Sequence, residues 1–114
     1  MILVVDDNPL MLKALRSILE AYGDTVMEAA DVQQALELAD ANEPEMVITD
    51  LVLAENGFTL AKKLRAAYPE MPILALSGWD GGDLRALGFT ETLQKPIKMP
   101  DLLAAVRRNR RSTE

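Results

Sequence analysis

Three carboxylates, one hydroxyl and one ammonium stand at the ends of short apolar runs. Leu3-Val4-Val5 ends on Asp6-Asp7, and Met46-Val47-Ile48-Thr49 ends on Asp50. Ile73-Leu74-Ala75-Leu76 ends on Ser77, and Thr92-Leu93-Gln94 ends on Lys95-Pro96. If these ends meet, the acids repel one another, which is costly unless a cation lies among them. Oxygen-only ligands with open positions favour Mg²⁺, and a metal held by few carboxylates keeps sites free for phosphate oxygens. Lys95 adds a compact positive charge suited to phosphate. The Ser77 hydroxyl can donate to another phosphoryl oxygen. One carboxylate can then act as nucleophile and form an acyl phosphate, with metal and ammonium neutralising the developing charge. Taken singly, each residue has an ordinary reading. Asp7 favours the start of a helix through its dipole, Asp50 is a loop acid, Ser77 is a turn residue beside Gly78, and Lys95 is a solvated lysine. The signal is the four run ends together.

Short all-apolar runs suit strands buried on both faces of a parallel sheet. In such a sheet the strands end on one side, and ligands bind in the crevice beyond their carboxyl ends. The segments between the runs read as helices. Asn8 is a good N-cap with Pro9 at the first helical position, and this helix runs to about Tyr22, where Gly23 stops it. Its expected inward stripe is Met11, Leu15, Ile18 and Tyr22, which leaves Leu10 and Leu12 off the stripe. Thr25 to Ala29 reads as a strand. Asp31 caps a second helix to about Asn42. Gly57 opens a third helix, ended by Pro69. A short fourth helix is expected at 83–87, and the last from Pro100 to Arg108. The β-α alternation gives a parallel sheet with helices on both faces, a three-layer α/β sandwich. No linker or internal repeat is visible, so residues 1–114 read as one domain.

Composition removes several classes of function. The net charge of −6 argues against nonspecific nucleic-acid binding, because phosphate repels such a surface. There is no cysteine and no histidine, so thiol chemistry, the usual general base and histidine metal sites are all excluded. No apolar run approaches the ~20 residues of a membrane span, and no signal peptide is visible. A cytoplasmic setting and a monomer are expected.

The motifs Val4-Val5-Asp6-Asp7-Asn8, Ile48-Thr49-Asp50-Leu51, Leu76-Ser77-Gly78 and Gln94-Lys95-Pro96 resemble those of a receiver domain of the bacterial response-regulator family. The resemblance runs along nearly the whole chain. It implies the flavodoxin-like (βα)5 fold with strand order 2-1-3-4-5. It implies that Asp50 is the phosphoacceptor and that Mg²⁺ is held by Asp7 and Asp50, by Asp6 through water, and by the Val52 carbonyl. Ser77 and Lys95 would contact the phosphoryl group, and the Lys95-Pro96 bond would be cis. The donor would be a phosphohistidine on a histidine kinase or a phosphotransfer protein. That partner would dock near Leu10 and Leu12 and near Pro96 and Ile97. Composition and the Leu-Gln-Lys-Pro ending are similar to receivers of hybrid histidine kinases.

The chain also departs from the family pattern. The loop after Asp50 is one residue short, and the segment between Ser77 and Lys95 lacks roughly one helical turn, lost from the fourth helix. The family's switch aromatic, three residues before the lysine, is here Thr92.

Two other readings use similar residues. An Mg²⁺-dependent phosphatase of the haloacid-dehalogenase type also has an aspartate nucleophile, Ser/Thr and Lys. It places the nucleophile after the first strand in an Asp-x-Asp pattern, and here the third acid follows a later strand. A flavodoxin-like binding module needs a hydroxyl-rich phosphate loop after the first strand, where Asp7-Asn8-Pro9-Leu10 stands instead.

Overall fold

A computed structural model describes residues 1–51, 57–78 and 87–110. The strands are β1 (Ile2–Val5), β2 (Val26–Ala29), β3 (Met46–Asp50), β4 (Ile73–Ser77) and β5 (Glu91–Gln94). The described helices are α1 (Pro9–Ala21), α2 (Val32–Asn42), α3 (Gly57–Ala67) and α4 (Met99–Asn109). All neighbouring strands are parallel, in the order β2-β1-β3-β4-β5. This is the order expected from the resemblance. Residues 83–86 of the short helix expected at 83–87, and the loop bearing Val52, lie outside the described residues.

The central strands β1, β3 and β4 are buried at every position. They are covered on both sides, which is why they carry no polar alternation. Successive side chains point to opposite faces, and two cores follow. Leu3, Val5, Val47, Ile73 and Ala75 pack with α2, α3 and Phe89 on one face. Ile2, Val4, Met46, Ile48, Leu74 and Leu76 pack with α1 and α4 on the other. The edge strand β5 is exposed at Thr92 and Gln94 and buried at Leu93.

Local chemistry sets the helix ends. Asn8 Oδ1 accepts from Leu10 N at 2.9 Å and caps α1. Asp31 Oδ1 accepts from Gln34 N at 2.7 Å, and Gln34 Oε1 reaches back to accept from Ala30 N at 2.8 Å. Asp31 thus caps the helix, and Gln34 ties down the residue just before the cap. Beyond α1, Gly23 takes φ +93°, and the Asp24 amide donates to the Leu19 carbonyl at 3.1 Å. α4 carries Asp101 in its first turn and Arg107 and Arg108 in its last, complementing its dipole.

The expected stripe of α1 is corrected. The fully buried residues are Leu12, Leu15 and Leu19, while Met11 and Ile18 flank them half-buried and Tyr22 is 62% exposed. Tyr22 is the C-cap residue, where the backbone has already left the helix, so its ring no longer follows the helical face. Without that residue as an anchor, the inward arc turns by one position and Leu12 falls inside it.

Candidate functional site: a carboxylate cluster at the ends of two strands

The parallel register brings the strand ends together. Val5 of β1 lies beside Thr49 of β3, Asp50 beside Leu76 of β4, and Ser77 beside Gln94 of β5. One residue beyond each end, backbone bonds continue the ladder. The Leu51 amide donates to the Leu76 carbonyl at 3.0 Å, and the Lys95 amide donates to the Ser77 carbonyl at 2.6 Å. The Thr49 hydroxyl donates to the Asp50 carbonyl at 3.0 Å.

Asp6, Asp7 and Asp50 each place a carboxylate oxygen within 4.8 Å of the others, the one such group among the described residues. Asp6 and Asp50 are buried and Asp7 is exposed. Lys95 Nζ lies 3.1 Å from Asp50 Oδ2. The Lys95-Pro96 bond is cis. Ser77 is 1% exposed at the end of β4. The structure therefore gathers Asp6, Asp7, Asp50 and Lys95 and seats Ser77 on the strand between β3 and β5.

Asp6 carries the clearest electrostatic signature. Its Oδ1 accepts from the Asn8 amide at 2.8 Å, while Oδ2 is buried with no hydrogen-bond partner among the described residues. Burial pushes its carboxyl above the usual aspartate range; the Asn8 bond opposes this, Asp50 adds repulsion, Lys95 offsets part of it, and Asp7 adds more. A buried carboxylate oxygen with no donor, set among two further carboxylates, fits a hard divalent cation or a water bound to one.

Other expected positions divide. Leu10 is 75% exposed and Pro96 is exposed, whereas Ile97 is half-buried against the core. Leu12 is 7% exposed and belongs to the core, so it offers no surface to a partner. Thr92 is exposed on β5. Met99, at the start of α4 and 46% exposed, went unnoticed in the sequence. An apolar residue directly before a helix-opening proline, next to Pro96 and Ile97, was the available signal.

Residues 2–107 match the family model for the response regulator receiver domain. The chain belongs to that family. The receiver is 32% identical over 111 residues to the response regulator MprA of Mycolicibacterium vanbaalenii, an alignment spanning 93% of this chain and 48% of that protein. The chain thus spans about half the length of the curated relatives it matches. Among solved structures, the receiver is similar to the Vibrio cholerae chemotaxis protein CheY4, with TM-score 0.89, 29% identity and coverage of 94% of this chain and 95% of that one. It is also similar to the signal receiver domain of a signal transduction histidine kinase from Syntrophus aciditrophicus, with TM-score 0.84, 25% identity and coverage of 95% and 87%. The receiver is a signalling module. Among its described residues, no helix is long and apolar enough to cross a membrane.

Proposed function

We propose that Asp50 is the phosphoacceptor of this receiver. The observation that carries the reading is the 3.1 Å approach of Lys95 Nζ to Asp50 Oδ2 inside a carboxylate cluster. An Asp50 oxygen attacks phosphorus in a phosphohistidine, an acyl phosphate forms, and the P–N bond breaks. The imidazole leaves with the bond's electron pair and takes a proton. Lys95 moves its contact from the carboxylate to a phosphoryl oxygen, which holds the new charge in place. Ser77 donates to a second phosphoryl oxygen.

Asp7 and Asp50, with Asp6 through water, would hold Mg²⁺, and the Val52 carbonyl would complete the set. When bound, Mg²⁺ neutralises charge on the transferring group. Small phosphodonors would label Asp50 by the same chemistry, making the phosphorylation self-catalysed.

The donor is a histidine kinase or a histidine phosphotransfer protein, docking across Leu10, Pro96, Ile97 and Met99. The domain works as a cytoplasmic monomer. Incubation with acetyl phosphate and Mg²⁺, followed by intact mass, tests the reading. A single phosphoryl adduct, lost in Asp50→Asn, is expected. Release of free phosphate with no adduct, or an adduct retained in Asp50→Asn, would refute it.

A further inference from the structure

A cavity of about 860 Å³ lies between one face of α3 and the lead-in to β5. That volume falls within the roughly 300–1,000 Å³ of small-molecule sites. Phe58, Lys62, Arg65 and Ala66 line it from α3, and Leu87 and Phe89 line it from the facing segment. Phe58 and Phe89 form an edge-to-face pair with ring centroids 6.2 Å apart. The charged groups among the described lining residues are both cations, in a chain of net charge −6.

Among the described residues, Arg65 is hydrogen-bonded but not neutralised. Its Nε and Nη2 donate to the Gly88 carbonyl at 3.2 and 2.7 Å, Nη1 donates to the Pro69 carbonyl at 2.8 Å, and Nη2 donates to Thr90 Oγ1 at 3.3 Å. Every one of these acceptors is neutral. A guanidinium has five N–H donors, so one Nη1 N–H remains after these bonds. Burial lowers Arg65 below the usual arginine value, with no carboxylate among the described residues acting against it. Lys62, exposed one turn earlier on the same face, makes no ion pair among the described residues.

We propose that this groove binds a small organic anion with a flat apolar body, of the aryl carboxylate class. Its ring packs against Phe58 and Leu87, with the buried Phe89 ring supporting Phe58 from behind, and its carboxylate meets Lys62 and Arg65. A purely apolar ligand would cover two cations without compensating them, which costs free energy. A bare inorganic anion would leave the aromatic lining unused. The charge and the lining together select the amphipathic anion. The site is separate from the carboxylate cluster, yet it touches the lead-in to β5, the strand that delivers Lys95.

Titration of the chain with naphthoate, followed by amide-resolved NMR, tests the proposal, with naphthylmethanol as the neutral control. Saturable shifts at residues 58–66 and 87–90 are expected. Affinity should fall at least about tenfold, or ~1.4 kcal/mol, for the alcohol and for Lys62→Glu, and should recover in Lys62→Arg. Lys62 is exposed, so an unchanged melting temperature would show that Lys62→Glu folds normally. Absence of saturable shifts would overturn the proposal. So would shifts centred on Asp50 and Lys95, or equal affinity for the neutral alcohol or for Lys62→Glu.

Discussion

Asp6 shows how a single buried carboxylate can oppose the fold that holds it. Burial raises its folded-state pKa above the unfolded value of 3.8. A carboxyl shifted upward binds its proton more tightly in the folded state. Its relative stabilisation is therefore full below the unfolded pKa and is lost as pH rises through the folded one. Metal-free protein should accordingly lose the Asp6 contribution as pH rises from the unfolded value of 3.8 through the higher folded one. Asp6→Asn keeps an acceptor for the Asn8 amide and replaces the orphaned Oδ2 with a neutral group. At neutral pH without divalent cations it should melt higher than wild type, and its melting temperature should depend less on pH. A lower melting temperature for Asp6→Asn under those conditions would contradict the account. The proposed docking residues separate by the same kind of physics. Leu10→Arg places a charge on a surface that is 75% exposed, so folding and acetyl phosphate labelling should persist. Transfer from a cognate phosphohistidine partner should fall. Leu12→Arg would bury an unpaired guanidinium and cost at least about 3 kcal/mol, so both assays should fail together. A Leu12→Arg protein that melts like wild type would overturn its core assignment.

At the scale of elements, boundaries were legible where a residue has a local job. Asn8-Pro9, Asp31 and Gly57 mark helix starts within one residue, and the apolar runs of β1, β3 and β4 announce strands because burial on both faces removes alternation. The cluster was legible for the same reason, since parallel strands must end on one side. What could not be read was rotation. The face of α1 depends on where its last turn stops, and Tyr22 misled because a residue at the C-cap no longer obeys helical spacing. Backbone sign was hidden as well. Glu43 ends α2 at φ +45°, a conformation that favours glycine, and nothing in Asn42-Glu43-Pro44 announces it. Glu43→Gly removes the Cβ from that left-handed turn and should stabilise the domain by about 0.5 to 1 kcal/mol in denaturant unfolding. Gly88 gives the reverse case. It sits at φ +102°, and an added Cβ would lie 3.4 Å from the Ala61 carbonyl oxygen. Gly88→Ala should destabilise by roughly 1 kcal/mol or more. If the two substitutions shift stability in the same direction, this backbone argument fails.

Across the whole molecule, the two cores lie on opposite faces of one sheet, and the carboxylates lie at the edge that both faces share. Asp6 and Asp7 follow β1, Asp50 ends β3, and Lys95 follows β5, so the cluster draws on strands that α1, α2, α3 and α4 all pack against. The cluster exists only when those strands are in register. A cation bound there is bound by the folded state and not by the unfolded chain, where Asp50 is far from Asp6 and Asp7. Linkage then converts binding into global stability, about 2.7 kcal/mol at 100 times the Kd. For a domain of this size that corresponds to a melting rise of roughly 10 °C. The rise should be seen with Mg²⁺ and should be largely absent in Asp7→Asn, which removes the exposed carboxylate of the cluster without disturbing the core. It should also persist in Lys95→Ala, because removing the ammonium deletes a competitor for Asp50 and not a ligand. Thermal melts with and without millimolar Mg²⁺ on the three proteins decide the matter. An Mg²⁺-dependent rise of equal size in wild type and Asp7→Asn would place the cation elsewhere. No rise in wild type would mean that the lysine alone balances the acids.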